Sequence, residues 1–131
     1  MRLYYADTSA LVKLAVTGPE SAALRRHLRE QDAALTTSVV GIVELSRVAL
    51  RAGLSPDAFA PLRAALLVVP LTEQVSERAA LLPPTVLRSL DAIHVAAALA
   101  LGDLVDGVLT YDERMAAAAR SAGLTVLSPG A

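Results

Sequence analysis

Residues 3–14 have the sequence LYYADTSALVKL, which predicts a strand, a turn and a helix in direct succession. The first four residues form a short β-rich run, and apolar side chains then recur at helical spacing from Ala10 onward. Thr8 or Ser9 lies where a residue that caps this helix is expected. The stretch therefore predicts the first unit of an α/β fold, in which Asp7 ends the strand.

Strands and helices keep alternating along the rest of the chain. Apolar runs predict four further strands, at 34–37, 66–69, 107–110 and 124–127. Helical patterns are predicted around them, at 19–30, 39–52, from Ser55 onward, at 72–82, 87–101 and 112–122. The run at 66–69 has the composition of a buried strand. The alternation predicts an α/β domain with a mostly parallel sheet of four to five strands and helices on both faces.

Length and composition indicate a single domain over residues 1–131. Hydrophobic residues make up 54% of the chain and charged residues 19%, which excludes disorder as the main state. No uncharged stretch exceeds 11 residues, whereas a membrane-spanning helix needs about 20 apolar ones. Asp7 interrupts the N-terminal apolar run before a signal-peptide core can form, so we expect a cytoplasmic protein.

Charge and cysteine content restrict the kind of site that the protein can carry. The formal net charge is −1, so the molecule as a whole does not attract polyanions, and any nucleic-acid contact must be local. Cysteine is absent, which excludes disulfides, thiol nucleophiles and zinc–thiolate sites. Any metal ion must therefore be bound by oxygen or imidazole.

Four acidic residues lie at positions that suggest a common site. Asp7 and Asp112 follow the first and fourth strands, so they lie at the same edge of the sheet, and they meet if those strands are neighbours. Glu44 and Asp91 lie within apolar helical runs, where folding does not require an acid. Each acid also has a structural interpretation. Asp7 and Asp112 are suited to cap the helices that follow them. Asp91 is suited to pair with Arg88 or His94, three residues away. Glu44 is suited to pair with Arg47 in the same way.

A shared site for these acids favours a metal ion. Carboxylates that lie close together repel one another unless a cation neutralises them. An oxygen-only set of ligands suits Mg²⁺ or Mn²⁺. Such an ion activates water and stabilises charge on phosphoryl oxygens, which is the chemistry of phosphodiester hydrolysis.

The motifs around these acids resemble the signature of PIN domains, and more closely that of the VapC toxins of toxin–antitoxin pairs. They are Asp7-Thr8-Ser9, Glu44, Leu90-Asp91-Ala92-Ile93-His94-Val95-Ala96 and Thr110-Tyr111-Asp112. The resemblance covers nearly the whole chain. It implies a three-layer PIN-like domain that acts as a Mg²⁺- or Mn²⁺-dependent endoribonuclease, forms a homodimer, and is inhibited by a cognate VapB-like antitoxin.

The resemblance also implies individual roles. Asp7, Asp91 and Asp112 correspond to the acids that coordinate the metal ion, and Glu44 to a ligand that acts directly or through water. Small polar side chains next to them are expected to orient the carboxylates by hydrogen bonds, namely Thr8, Ser9 and Thr110.

Other polar and aromatic residues are assigned plainer roles. His94 is expected to be a packed histidine with a hydrogen-bonded neighbour, because activation of water by a metal ion requires no imidazole base. His27 is expected on the solvated surface. The tyrosines are expected to pack in the core. Three arginines on the second helix are suited to contact RNA phosphates or an antitoxin, but an exposed helix face often carries such charges: Arg25, Arg26 and Arg29.

Two other function classes compete with the nuclease. A phosphotransfer domain of receiver or haloacid-phosphatase type also uses an Asp at a strand end. However, the stretch after Asp7 lacks the second Asp of the phosphatase motif, and no lysine follows the later strands. The other class is a catalytically inactive PIN-like module that binds RNA or protein, with its acids as a socket for a partner's arginine.

Overall fold

A five-stranded parallel sheet forms the centre of the structure, a computed structural model that describes residues 1–131. The strands are β1 (Arg2–Ala6), β2 (Ala33–Ser38), β3 (Leu66–Val69), β4 (Gly107–Leu109) and β5 (Val126–Leu127). The helices are α1 (Thr8–Ala15), α2 (Ser21–Glu30), α3 (Val39–Arg51), α4 (Ala60–Ala65), α5 (Glu73–Leu81), α6 (Ser89–Leu101) and α7 (Glu113–Ser121), with a 3₁₀ turn at Gly102–Leu104. The predicted alternation of strands and helices is confirmed.

The order of the strands in the sheet is β3-β2-β1-β4-β5, and every neighbouring pair is parallel. In the register of the sheet, Tyr5 of β1 lies opposite Thr36 of β2 on one side and Val108 of β4 on the other. The chain therefore builds outward from β1 in both directions, and the strand order reverses between β1 and β4. A reversal of this kind leaves a crevice at the carboxyl ends of the two strands.

Helices cover both faces of the sheet, which makes three layers. Consecutive side chains of β1 point to opposite faces, so Tyr4 and Tyr5 enter two different cores. Tyr4 packs with residues of α1, α2 and α3, and Tyr5 packs with residues of α5, α6 and α7. The expectation that these two tyrosines pack in the core is confirmed, since both are buried.

Two predicted elements differ in the structure. The helix expected from Ser55 begins only at Ala60, because Ala58 and Ala60 each donate to the carbonyl three residues earlier and thus form turns. The run at 66–69 is an edge strand rather than a buried one, and Leu67 is 58% exposed. Burial of an apolar strand depends on neighbours on both sides, and β3 has only β2.

His27 was expected on the solvated surface, and that prediction is wrong. Its ring lies against Tyr4, with 5.6 Å between the ring centroids, and its Nε2 atom is buried without a hydrogen-bond partner. The residue lies on the part of α2 that packs against the sheet, three positions after the buried Leu24.

None of the helices is long and apolar enough to cross a lipid bilayer.

Candidate active site

A cavity of about 290 Å³ lies at the carboxyl ends of β1 and β4, where the strand order reverses. Its walls contain all four of the acids singled out from the sequence: Asp7, Glu44, Asp91 and Asp112. They come from four places in the chain, because one follows β1, two lie on α3 and α6, and one caps α7. The remaining lining residues are Thr8, Ser9, Arg88, Ser89, Leu90 and His94.

Asp7 is the most constrained of these acids. It caps α1, a position that the sequence suggested for Thr8 or Ser9, because the helix begins directly after the strand. One carboxylate oxygen, Oδ1, accepts from Ser9 Oγ at 2.6 Å and from the Ala10 amide at 3.1 Å, and Oδ2 accepts from Thr110 Oγ1 at 2.5 Å. Burial raises the pKa of Asp7 above its ordinary value, although these hydrogen bonds act in the opposite direction.

The loop after β4 is tied to Asp7 through the same hydroxyls. Ser9 Oγ accepts from the Tyr111 amide at 2.8 Å, and Thr110 Oγ1 accepts from the Asp112 amide at 3.1 Å. Because each hydroxyl also donates to Asp7, the carboxylate and the start of α7 are held in one arrangement.

Glu44 is held by one residue of α1 and one residue of α6. Its Oε1 accepts from Thr8 Oγ1 at 2.6 Å and from His94 Nε2 at 2.7 Å. Partial burial disfavours the charged form, but the bonds from His94 and Thr8 outweigh it and leave the pKa of Glu44 below its ordinary value. Their spacing suggested that Glu44 pairs with Arg47, but that pair does not form, and Glu44 contacts His94 instead.

His94 is a buried, hydrogen-bonded histidine, as expected. Its Nδ1 lies 2.7 Å from the hydroxyl of Tyr5, and its side chain is 2% exposed. Burial raises the pKa of Tyr5, so its hydroxyl keeps its proton beside the ring. A carboxylate only accepts, so Nε2 donates to Glu44.

Asp91 and Asp112 share an arginine. Arg88 Nε lies 3.2 Å from Asp91 Oδ2, and Arg88 Nη2 lies 3.3 Å from Asp112 Oδ2. The pairing of Asp91 with Arg88 was suggested by their spacing of three residues and is confirmed. The second contact was missed, because no local pattern relates Arg88 to Asp112, 24 residues later. Asp112 also caps α7, since its Oδ1 accepts from the Met115 amide at 3.0 Å.

The donor set of the cavity fits a hard divalent cation. No three acidic or histidine side chains, as they stand, form a group that could hold a metal ion. However, Mg²⁺ commonly binds to one or two carboxylates and keeps several waters. The cavity offers carboxylate oxygens and the space for such waters. A cationic group already lies against two of the acids, since the guanidinium of Arg88 contacts both Asp91 and Asp112.

The arginines of α2 lie outside this cavity. Arg25 donates to the carbonyl of Leu14 at 3.1 Å and so joins α2 to α1. Arg26 and Arg29 are exposed. Of the three, Arg25 therefore has a structural role, and the part that the other two play in binding stays a prediction.

Comparison with known families identifies this arrangement. The sequence profile of the PIN domain matches residues 4–121. The chain belongs to the PIN-domain family. Relatives of this PIN domain include Ribonuclease VapC47 of Mycobacterium tuberculosis, which is 42% identical over 98% of both chains. Ribonuclease VapC46 of the same species is 41% identical over 98% of this chain and 99% of its own. These identities place this PIN domain among the VapC ribonucleases.

Solved structures share the fold of this PIN domain. Mycobacterium tuberculosis VapC20, described as a toxin that cleaves the Sarcin–Ricin loop, superposes with a TM-score of 0.74 at 18% identity, covering 96% of this chain and 99% of its own. Rickettsia felis VapBC2, bound to a DNA fragment from its promoter, superposes with a TM-score of 0.73 at 12% identity, covering 95% of this chain and 97% of its own. A chain of a Klebsiella pneumoniae toxin–antitoxin complex superposes with a TM-score of 0.73 at 20% identity, covering 96% of this chain and 97% of its own. The three-layer PIN-like fold expected from the sequence is confirmed.

Proposed function

We propose that this PIN domain is an endoribonuclease toxin that hydrolyses RNA phosphodiester bonds with the help of Mg²⁺ or Mn²⁺. One observation carries the proposal: four separate parts of the chain bring four acids into one cavity at the carboxyl edge of the sheet. Identities of 38–42% to VapC ribonucleases over 98% of the chain support the same reaction. We place this activity in the cytoplasm.

The resemblance to the PIN-domain motifs gives the four acids two roles. Asp7, Asp91 and Asp112 would hold the metal ion, and Glu44 would act directly or through water. When bound, the ion supplies Lewis acidity toward phosphoryl oxygens and lowers the pKa of water. Asp7 is the acid most in need of a cation, because burial disfavours its charged form.

Polar side chains in and beside the cavity orient the carboxylates. Ser9 and Thr110 each donate to one oxygen of Asp7, which leaves the remaining lone pairs directed elsewhere. Thr8 and His94 bind the same oxygen of Glu44 and leave its second oxygen free. Both acids are therefore presented to the cavity in fixed directions, as ligands must be for catalysis.

The surroundings of the only lysine disfavour the phosphotransfer alternative. Lys13 Nζ lies 2.9 Å from Glu20 Oε2 and 5.1 Å from the centre of the Tyr111 ring. It does not line the acidic cavity. A phosphoryl group on Asp7 would thus have no lysine beside it.

We propose two protein partners. One is a cognate VapB-like antitoxin, a proposal supported by the similarity to VapBC2 and to the Klebsiella complex. The other is a second copy of this chain. Val39, Val43 and Leu50 on α3 are 42%, 56% and 48% exposed, and a patch of apolar side chains of this kind is suited to a homodimer interface.

The decisive experiment measures RNA cleavage by the purified protein without antitoxin, in Mg²⁺, Mn²⁺ or EDTA. The variants Asp7→Asn and Asp91→Asn are compared with Asp103→Asn, an exposed acid outside the cavity. We expect discrete RNA fragments from the original protein and from Asp103→Asn, no fragments in EDTA, and none from the two cavity variants. Circular dichroism of each variant checks that it is folded.

Two outcomes would overturn the proposal. If folded Asp7→Asn cleaves as fast as the original protein, the cavity is not the active site. If Mn²⁺ binds but no RNA class is cleaved, the protein is the inactive binding module. The contacts of Arg88 with Asp91 and Asp112 favour this alternative in one respect, because they show that the acids accept a guanidinium.

A further inference from the structure

Arg88 is the only basic residue other than His94 among the residues that line the acidic cavity. It precedes α6, and its side chain reaches Asp91 on that helix and Asp112 at the start of α7. Each contact uses one nitrogen and one carboxylate oxygen, so neither is the two-pronged pair that arginine makes at its strongest. Arg88 thus bridges two acids through two single contacts.

These contacts are easily exchanged. The Arg88 side chain is 65% exposed, and an exposed pair of this kind contributes little to stability. The two carboxylates are more buried than the arginine, with side chains 16% and 29% exposed. A divalent ion in the cavity carries twice the charge of the guanidinium and binds carboxylate oxygens directly. It would therefore displace Arg88 at low cost.

Arg88 also lines a second cavity. This cavity has a volume of about 610 Å³ and shares Arg88 and Asp91 with the acidic one. Its walls are partly apolar, with Pro83, Pro84 and Leu87 on one side and α7 on the other, and they include a second arginine, Arg114. Its charged lining residues are these two arginines and Asp91, so the basic side chains outnumber the acidic one, which suits an RNA phosphate.

We propose that Arg88 is a displaceable cation that exchanges partners when metal binds. Without metal it bridges Asp91 and Asp112, and with metal it leaves them and binds an RNA phosphate next to the scissile bond. The inference rests on the proposed function. It makes Arg88 a substrate-binding residue whose contribution appears only in the metal-loaded protein.

The test measures metal and RNA affinity rather than cleavage alone. Mn²⁺ binding is measured by isothermal titration calorimetry for the original protein, Arg88→Gln, Arg88→Lys and Arg78→Gln, an exposed arginine outside both cavities and without an ion pair. Removal of a competing cation should make Mn²⁺ binding to Arg88→Gln about three- to tenfold tighter. The Mn²⁺ affinity of Arg88→Lys should lie between those of the original protein and Arg88→Gln, because lysine keeps the charge but lacks the planar guanidinium. Arg78→Gln should match the original protein.

The second measurement is fluorescence anisotropy with a labelled single-stranded RNA, in Ca²⁺ and in EDTA, with a gel to verify that the RNA stays intact. In Ca²⁺, Arg88→Gln should bind about threefold more weakly than the original protein or worse, as expected for loss of one phosphate contact. In EDTA, where Arg88 is held by the acids, the two proteins should bind equally.

The outcomes separate this inference from the proposed function. Unchanged or weaker Mn²⁺ binding by folded Arg88→Gln and Arg88→Lys would show that the guanidinium does not compete with metal. An equal loss of RNA binding in Ca²⁺ and EDTA would show that its RNA contact is independent of metal. Either result overturns the inference while metal-dependent cleavage stands. If the original protein neither binds Mn²⁺ nor cleaves RNA, the proposed function itself fails.

Discussion

His94 Nε2 lies 2.7 Å from Glu44 Oε1, while the opposite ring nitrogen lies 2.7 Å from the hydroxyl of Tyr5. The histidine therefore connects a fully buried tyrosine of the central strand to an acid on the wall of the cavity. Because both ring nitrogens are hydrogen-bonded, the orientation of the ring is set by these neighbours. The core of this PIN domain thus positions Glu44.

Tyr5→Phe should destabilise the protein, because it leaves Nδ1 of the buried His94 without a hydrogen-bond partner. The expected loss is about 1–3 kcal/mol in the free energy of unfolding. Urea denaturation measures it. Tyr4→Phe is the matched control, since Tyr4 is also buried but its hydroxyl makes no hydrogen bond. Equal effects of the two substitutions would contradict the prediction.

Asp7→Asn should stabilise the metal-free protein at neutral pH. The folded-state pKa of Asp7 is raised, so its contribution to stability is fully present below the unfolded pKa of about 3.8 and is lost as pH rises through the folded pKa. The variant does not titrate, so its advantage in EDTA should grow with rising pH, to about 3 °C in melting temperature. Mn²⁺ should then raise the melting temperature of the original protein only.

Thermal unfolding in EDTA checks this expectation. The measurements run from about pH 4, near the ordinary carboxyl pKa, to about pH 8. Asp103→Asn, at an exposed position, serves as the control. A melting temperature of Asp7→Asn that lies below that of the original protein at every pH would show that the hydrogen bonds to Asp7 outweigh its burial.

Glu44→Gln should show the opposite dependence on pH. The folded-state pKa of Glu44 is lowered, so its stabilising contribution is present above the unfolded pKa of about 4.5 and is lost as pH falls through the folded pKa. The variant should be less stable by about 1 kcal/mol near neutral pH. The difference should vanish in acid. Chemical denaturation at several pH values measures it, and a constant difference would refute the assignment.

Gly41→Ala should destabilise the protein by about 1–3 kcal/mol. A Cβ atom at Gly41 would collide with Oγ1 of Thr37, and that hydroxyl donates to the Ala6 carbonyl at 2.8 Å. The neighbour therefore cannot move without breaking a buried hydrogen bond. Gly18→Ala is the control, because nothing lies within 4 Å of its added Cβ. Thermal unfolding of the two variants should separate them clearly.

Val43→Lys should convert the proposed homodimer into a monomer, because it places a charge in the exposed apolar face of α3. Light scattering after size-exclusion chromatography measures the mass. Leu81→Lys, at a side chain 85% exposed on α5, should leave the dimer intact. Loss of the dimer in both variants, or in neither, would exclude α3 as the interface.

Local patterns in the chain were sufficient to predict the alternation of strands and helices, the parallel sheet, and the place of Asp7 and Asp112 at its carboxyl edge. Glu44 and Asp91 were noticed as acids within apolar helical runs, and the resemblance to PIN domains added them to the site. Periodicity and capping act between residues a few positions apart, so they are visible in a linear sequence. The sequence did not predict that β1 and β4 are neighbours; it predicted only that Asp7 and Asp112 meet if they are. The observed pairing of β1 with β4 brings Thr110 to Asp7, which lies 103 residues earlier in the chain.

Contacts between distant residues could not be predicted in this way. Spacing suggested Arg47 as a partner for Glu44, but the fold supplies His94, 50 residues away. The prediction that β3 is buried was wrong for the same reason, since the burial of a strand depends on which elements pack beside it. The charged pairs of the cavity follow the same rule: a local spacing predicted the contact of Arg88 with Asp91, and only the packing of α6 beside α7 adds Asp112 to it. Burial and nonlocal pairing depend on how the crossovers place whole helices, which no short stretch of chain encodes.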